Sequence, residues 1–246
     1  MVNMVEKIFT VLEAVGKTKG NNSVSVIQKL TGFPRSTVHR TLQSMEKAGM
    51  IVYIQDKGYS ISQRLQILCL SSNQNTDFLE VMIPLAKNIS EKTQETVSVN
   101  VINDMERICV YRAEGKKRAI SNVHMGDRGP LFIGSTGRVL AASLSPSKFE
   151  KAFLNSEKNG IITAANKKEI MEKIEKCRQD GYAVSSEELY GGCWSIAVPI
   201  ISVITKETIG ALSINSVISS FSEEVKKMYI KMLREAVDEA SVKLLR

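Results

Sequence analysis

Apolar residues recur at helical spacing from the start of the chain. Val5, Ile8, Leu12 and Val15 fall three, four and three apart, which predicts an amphipathic helix over 4–16 that ends near Gly16. A polar connection, 17–22, leads to a short helix carrying Val24, Ile27 and Leu30, and Thr31-Gly32-Phe33 has the length of a turn joining two helices at a steep angle. Val38, Leu42 and Met45 then form one apolar stripe, while Ser36, His39, Arg40 and Gln43 fall on other faces. Pro34 suits the first turn of that helix and Gly49 a left-handed stop, so about fourteen residues, roughly 21 Å, fit between them. The apolar, β-branched runs 50–54 and 58–61 flank Gln55-Asp56-Lys57-Gly58 and predict a hairpin. Ser62 is placed to cap a further helix, 63–70, with Leu65, Leu68 and Cys69 on one side.

The polar stretch 71–76 has no apolar anchor and reads as a hinge, with a domain boundary near residue 73. Beyond it a helix over 77–92 carries Phe78, Val81, Leu85 and Ile89, and Pro84 is expected to kink or split it. Strands are expected at 96–102 and 108–113, with Asn103-Asp104 opening the turn between them, and more weakly at 119–123. Residues 130–136 precede a predicted helix over 137–144, and helical patterns follow at 147–153 and 167–179, the latter stopped by Asp180-Gly181. Strands resume at 182–186, 195–204 and 208–216. The last helix is capped by Ser222, has Glu223 and Glu224 in its first turn, and carries Val225, Tyr229, Met232, Ala236 and Leu244. The pattern is α+β in two domains: a helix-turn-helix with a β wing over 1–61, a linker helix and hinge over 62–76, and a domain over 77–246 with a largely antiparallel sheet flanked by helices.

Composition narrows the function classes. No run of eighteen apolar residues exists, and Glu6 and Lys7 stand where a signal peptide needs its apolar core, so no membrane partner and a cytoplasmic location are expected. Cys69, Cys109, Cys177 and Cys193 form no Cys-x-x-Cys pair, which points to no disulfide framework and no metal site, and no cofactor is expected. The net charge of +7 is unevenly placed: the first 72 residues hold nine basic against four acidic side chains, the remaining 174 hold 24 against 22. A basic excess beside a helix-turn-helix suits phosphate, although modest positive charge also serves solubility.

Taken alone, the 34–48 stretch could be an ordinary amphipathic helix with a solvated outer side. Its neighbours make it the second helix of a winged helix-turn-helix, a helix able to enter a major groove. Arg35, Ser36, Thr37, His39, Arg40 and Gln43 are then the candidates for contact with duplex DNA. Arg and Gln can bond guanine and adenine edges in pairs, and Ser, Thr and His can reach phosphates. Lys57 at the wing tip is the candidate for a further phosphate contact.

The run from Gly32 through Arg35-Ser36-Thr37-Val38-His39-Arg40 to Leu42 resembles the recognition helix of the IclR family of bacterial transcription regulators. Further along, Gly126-Asp127-Arg128-Gly129-Pro130-Leu131, Thr136-Gly137-Arg138-Val139-Leu140-Ala141, Asp180-Gly181-Tyr182-Ala183, Glu187-Glu188, Ile196-Ala197-Val198-Pro199 and Ala211-Leu212-Ser213-Ile214 resemble the same family in order and spacing. The resemblance implies a GAF-like effector-binding domain, sequence-specific binding to a double-stranded DNA operator, and a homodimer or homotetramer to which the first helix contributes.

From periodicity alone, Gly134-Ser135-Thr136-Gly137 is a cap and a tight turn. The resemblance implies instead that its backbone N–H groups and hydroxyls hold a small carboxylate effector. Carried over by position, the pocket draws on Ser135, Thr136, Ser195, Ser213 and Asn215, with Cys193 or Trp194 near its wall and Ser185 where some members have an acid. Two positions depart from the family: Arg138 where Lys is usual, and Asn215 where Ser is frequent. Donors without a facing acid fit a small organic acid better than an amine or a cation.

Two rival readings remain at this point. Gly191-Gly192-Cys193-Trp194-Ser195 superficially suggests a nucleophilic thiol, with His124 as the sole histidine of the second domain, but a hydrolase needs that histidine within reach and a third group to orient it. The winged helix could also serve as a protein-interaction module.

Overall fold

The computed structural model describes residues 3–17, 22–71, 76–117 and 124–244. Its contacts fall into two units that divide between residues 76 and 77. The strand expected at 119–123 and positions 72–75 of the polar hinge lie outside the described residues. Among those described, no helix is long and apolar enough to cross a membrane.

The first unit comprises α1 (Met4–Lys17), α2 (Val24–Thr31), α3 (Arg35–Lys47), the antiparallel hairpin β1 (Ile51–Ile54) and β2 (Gly58–Ile61), and α4 (Gln63–Ser71). Val11, Ala14 and Val15 of α1 meet Ile27 of α2, Val38, Leu42 and Met45 of α3, and Ile51 and Tyr59 of the hairpin in one core. The stripes on the neighbouring helices are shorter than the spacing predicts. Val5 is 61% exposed, Leu30 52% and Leu68 56%, so α1 packs on its own domain through its C-terminal half. Pro34 lies just before α3 with ψ 142°, a step earlier than predicted, and its fixed φ sets the angle of entry. Gly32 and Gly49 take the left-handed conformation that stops α2 and follows α3.

A buried asparagine ties the wing to α1. Asn22 Nδ2 donates to the carbonyls of Val15 (3.0 Å) and Tyr59 (2.7 Å). Gly58 opposite it combines φ 78° with a close approach, because a Cβ there would lie 2.6 Å from the Asn22 backbone. Ser62 caps α4 as expected, its Oγ accepting from Leu65 N–H at 3.1 Å.

The second unit runs α5 (Thr76–Thr93), β3 (Thr96–Asn103), β4 (Glu106–Ala113), β5 (Arg128–Pro130), α6 (Gly134–Ala142), α7 (Pro146–Lys158), α8 (Lys167–Asp180), β6 (Ala183–Ser186), β7 (Cys193–Ile201), β8 (Thr208–Val217) and α9 (Glu223–Lys243). The six strands form one sheet in the order β5-β4-β3-β8-β7-β6, and every neighbouring pair is antiparallel. The structure differs from the sequence reading at two helices, since α6 begins at Gly134 and not at 137 and α7 is nearly twice as long as the 147–153 pattern; at α5, Pro84 does not split the helix.

Strand alternation gives the sheet two unlike faces. Val97, Val99, Ile196, Val198, Leu212 and Ile214 pack against α5 and α9 in one core. On the other face Ala183, Ala197 and Ala211 pack beneath Val139 and Leu140 of α6 and Ile170 and Ile174 of α8. That second face is apolar over only part of its length. Where Ser98, Asn100, Ser185, Ser195 and Asn215 replace the aliphatic side chains, a cavity opens between the sheet and the start of α6.

Candidate functional site

Two surfaces carry candidate chemistry, one in each unit. On α3, Val38, Thr41, Leu42 and Met45 are buried, and Arg35, Ser36, His39, Arg40 and Gln43 are exposed. Because a helix turns 100° per residue, Ser36, His39, Arg40, Gln43 and Lys47 fall within one sector opposite the buried seam, with Arg35 and the half-buried Thr37 flanking it. Ser44 Oγ donates to the Arg40 carbonyl at 2.9 Å, and none of the Arg40 guanidinium N–H groups bonds to another described residue. Lys57 is exposed in the turn between β1 and β2. Exposed Val52, Tyr53 and Ile54 on β1, which the sequence reading treats only as strand formers, extend the open surface along the wing.

In the second unit the predicted pocket residues Ser135, Thr136, Ser185, Cys193, Ser195 and Asn215 all line the cavity, whose free volume is about 40 Å³. Ser135 and Ser195 hydroxyls lie 2.7 Å apart across it. Ser213 stands one layer back, its Oγ 2.8 Å from Ser98 Oγ. Trp194 borders the cavity but its ring is part of the core: it stacks on Tyr229 at 5.7 Å, meets Phe221 edge-on, and donates from Nε1 to Ser220 Oγ. Its ring faces the α9 side, while the residue itself stays at the edge of the cavity.

The helix start is built by close approach. A Cβ at Gly137 would come within 2.4 Å of the Pro130 carbonyl, so glycine lets α6 begin directly against β5. At Gly134, φ 77° turns the chain into the helix, and Leu189 rests where a side chain would otherwise stand. Leu189 belongs to the segment 187–192, which crosses the cavity mouth with Glu187 and Gly192 both at positive φ.

The first N–H of α6 is already occupied, and an acid does face the cavity. Glu188 accepts from Gly134 N–H at 3.0 Å, from Arg138 Nη2 at 2.6 Å and from Lys173 Nζ at 3.0 Å. These findings correct the expectation of a pocket with donors and no facing acid. Burial disfavours the Glu188 charge, but the Arg138 guanidinium, the Gly134 N–H and Lys173 together hold its carboxyl below the usual range. Lys173 is raised: burial opposes its charge, and Glu169 and Glu188 more than restore it.

A carboxylate whose pKa is depressed on folding contributes stability that is complete above its unfolded value, near 4.5, and is lost as pH falls through the folded value. The thermal midpoint of wild type is therefore expected to exceed that of Glu188→Gln at neutral pH, with the gap closing in acid below the ordinary glutamate range. A gap that persists unchanged in acid rules out this ion pair as its source.

Sequence reasoning missed the residues that give the cavity its charge. Arg107 of β4 is only 6% exposed and lines the cavity beside Asn100 and Ser98, and Glu187, Glu188 and Tyr190 line it from the crossing segment. The available signal was Arg107 one step before the apolar run 108–111, and Glu187-Glu188 just ahead of Gly191-Gly192. Burial pushes the Arg107 guanidinium down from its ordinary value, opposed by Tyr190, Cys109 and Asp127.

The thiols differ in setting. Burial raises Cys109 and Cys177 to about 11, which leaves them protonated at neutral pH. Cys193 borders the cavity, whereas His124 is exposed on the β4 to β5 connection, its backbone N–H donating to Asp127 Oδ2, and it is not part of the lining.

Comparison with known proteins gives a consistent picture across both units. The IclR helix-turn-helix domain matches residues 4–54, and the bacterial transcriptional regulator IclR C-terminal domain matches 71–242. The HTH-type transcriptional regulator KdgR of Dickeya chrysanthemi is 26% identical over 241 residues, covering 96% of this chain and 77% of that protein. The crystal structure of the Thermotoga maritima IclR superposes with a TM-score of 0.71 at 23% identity, covering 99% of each chain. An IclR homologue from Microbacterium hydrocarbonoxydans, solved in complex with 4-hydroxybenzoate, superposes with a TM-score of 0.78 at 20% identity over 98% of this chain and 99% of that one.

Proposed function

Because the chain belongs to the IclR family of bacterial transcriptional regulators, we propose that α3 reads a duplex operator and that a small organic acid in the second-unit cavity modulates that binding. The observation that carries the first half is the division of α3 into a buried seam and an exposed sector bearing Ser36, His39, Arg40 and Gln43, flanked by Arg35 and Thr37. Lys57 at the wing tip adds a phosphate contact. Support for the second half comes from the hydroxyl and amide groups of Ser135, Thr136, Ser195 and Asn215 around one cavity, and from the 4-hydroxybenzoate complex of the Microbacterium homologue. One reading head spans few base pairs, so the working unit is at least a dimer with half-sites a helical turn or its multiples apart. Exposed Met4, Val5 and Phe9 on α1 offer an apolar face for that association. The relatives are regulators, and the assignment is to a binding protein and not to a hydrolase built on Cys193.

Salt dependence tests the DNA reading. Log affinity for a duplex obtained by binding-site selection is expected to fall by about 0.9 per phosphate contacted for each unit of log salt. Lys57→Ala is expected to weaken operator and scrambled duplex alike and to reduce that slope by about 1 for each reading head, about 2 for a dimer. A shallow slope in wild type favours the protein-interaction alternative.

A further inference from the structure

We infer that Arg107 is the anion anchor of the second-unit cavity, so that an effector's carboxylate docks against this guanidinium on the sheet and not on the first N–H of α6. The inference rests on reading that cavity as the effector site. Its basis is a buried cation without a counter-charge. Arg107 is only 6% exposed. Its only hydrogen bond to a described residue runs from Nη1 to Asn100 Oδ1 at a long 3.4 Å. Its Nε has no partner, and no described carboxylate lies within ion-pair distance of it. Asp127 favours the charge only from farther away.

An arginine keeps its proton in proteins, so burial leaves a charge that has lost water and gained little in return. The side chain is nevertheless held in place from behind. Its guanidinium lies on Gly129 of β5, where a Cβ would come within 2.7 Å of Nη2 and 2.8 Å of Cζ. Gly129 carries no positive φ, so what glycine provides at this position is room for the guanidinium. The planar fork is thereby presented to a cavity whose remaining floor is hydroxyl and amide: Ser98, Asn100, Ser195 and Asn215.

At the competing anion site, the start of α6, the first N–H is taken by the chain itself. Glu188 takes the Gly134 N–H and is paired to Arg138 and Lys173, and Glu187 accepts the Gly192 N–H, which leaves Arg107 as the lining cation with no described carboxylate in ion-pair distance. A carboxylate offers two coplanar oxygens that match a guanidinium fork, an interaction stronger than a neutral hydrogen bond. With the segment 187–192 in place, a free volume of about 40 Å³ restricts the ligand to few non-hydrogen atoms. The class it fits is a small acid.

The test uses the full chain and thermal unfolding with acetate, pyruvate and succinate, each beside its uncharged amide. At least one acid is expected to raise the wild-type midpoint while its amide does not. Arg107→Met is expected to weaken that acid's binding at least about 30-fold. Without ligand, Arg107→Met is expected to unfold no lower than wild type, since it removes a buried charge that nothing balances. Gly129→Ala keeps the charge but displaces it, and is expected to weaken the same acid. If Arg107→Met unfolds at a lower temperature without ligand, the arginine is structural and the inference falls. If an acid protects wild type and Arg107→Met equally, the effector reading stands and the anchor does not. If no acid protects wild type, the organic-acid reading itself fails and takes the anchor with it.

Discussion

Arg40→Ala is expected to lower affinity for the selected operator by about 1 to 3 kcal/mol per reading head, the range of a bidentate contact to a base. Both heads of a dimer change together, so the observed loss is expected between about thirtyfold and four orders of magnitude, at tenfold per 1.4 kcal/mol. The size of the effect follows from the side chain's position. Arg40 is exposed in the middle of the polar sector of α3, none of its guanidinium N–H groups bonds to another described residue, and the seam that holds the helix lies on the opposite side. The fold should therefore be unchanged by circular dichroism. Binding measured at one salt concentration on operator and scrambled duplex is the check: operator affinity should collapse toward the scrambled value. Equal losses on both duplexes would assign Arg40 to phosphate and remove it from base reading.

The second large effect is on stability. Arg138→Leu is expected to cost about 3 kcal/mol, because it strips a nearly buried partner from Glu188 while the carboxylate stays in place. The arginine also donates from Nη1 to the Val184 carbonyl at 2.8 Å, tying α6 to β6, so a second bond is lost. Lys173 remains beside Glu188 and keeps the loss toward the lower end of the range for buried pairs. For a domain of this size each kcal/mol shifts the midpoint by roughly 2 to 4 °C, which gives about 6 to 12 °C in calorimetry. The double variant Arg138→Leu, Glu188→Gln should recover part of it, since the orphaned charge goes as well. No recovery in the double variant would show that the loss comes from the bond to Val184 and packing, and not from the ion pair.

Local signals made the first unit largely legible. The α3 seam of Val38, Leu42 and Met45, the left-handed glycines 32 and 49 and the cap at Ser62 depend on residues close in sequence, and each stands where the pattern predicts. Periodicity identifies an apolar stripe but not what covers it, which is why Val5, Leu30 and Leu68 read as buried and are exposed. The start of α6 was hidden for a different reason. Gly134, Ser135 and Thr136 carry no apolar periodicity, and their helical state depends on the fit of Gly137 against Pro130.

Non-local contacts concealed the cavity's charge in the same way. In sequence Arg107 looks like the polar end of a turn. Its burial comes from Gly129, on a strand that begins some twenty residues later, and from Asn100 beside a shift in the β3–β4 register. The six lining residues inferred from the family resemblance came together because they lie on facing elements. Strand alternation on β7 turns the Trp194 ring toward Tyr229, a direction that the resemblance does not give, while the residue still borders the cavity.

The contact between Gly58 and Asn22 has a consequence for how such a reader can diverge. At the base of the wing, any added carbon collides with the main chain of Asn22, whose side-chain amide is bonded to Val15 and Tyr59, so this position admits almost no change. Three and two residues away, Gln55 and Asp56 are solvated and bear on nothing in the domain's interior. Selection can thus alter the charge at the tip, and with it the grip on the sugar-phosphate rail, while the platform that aims the tip stays fixed.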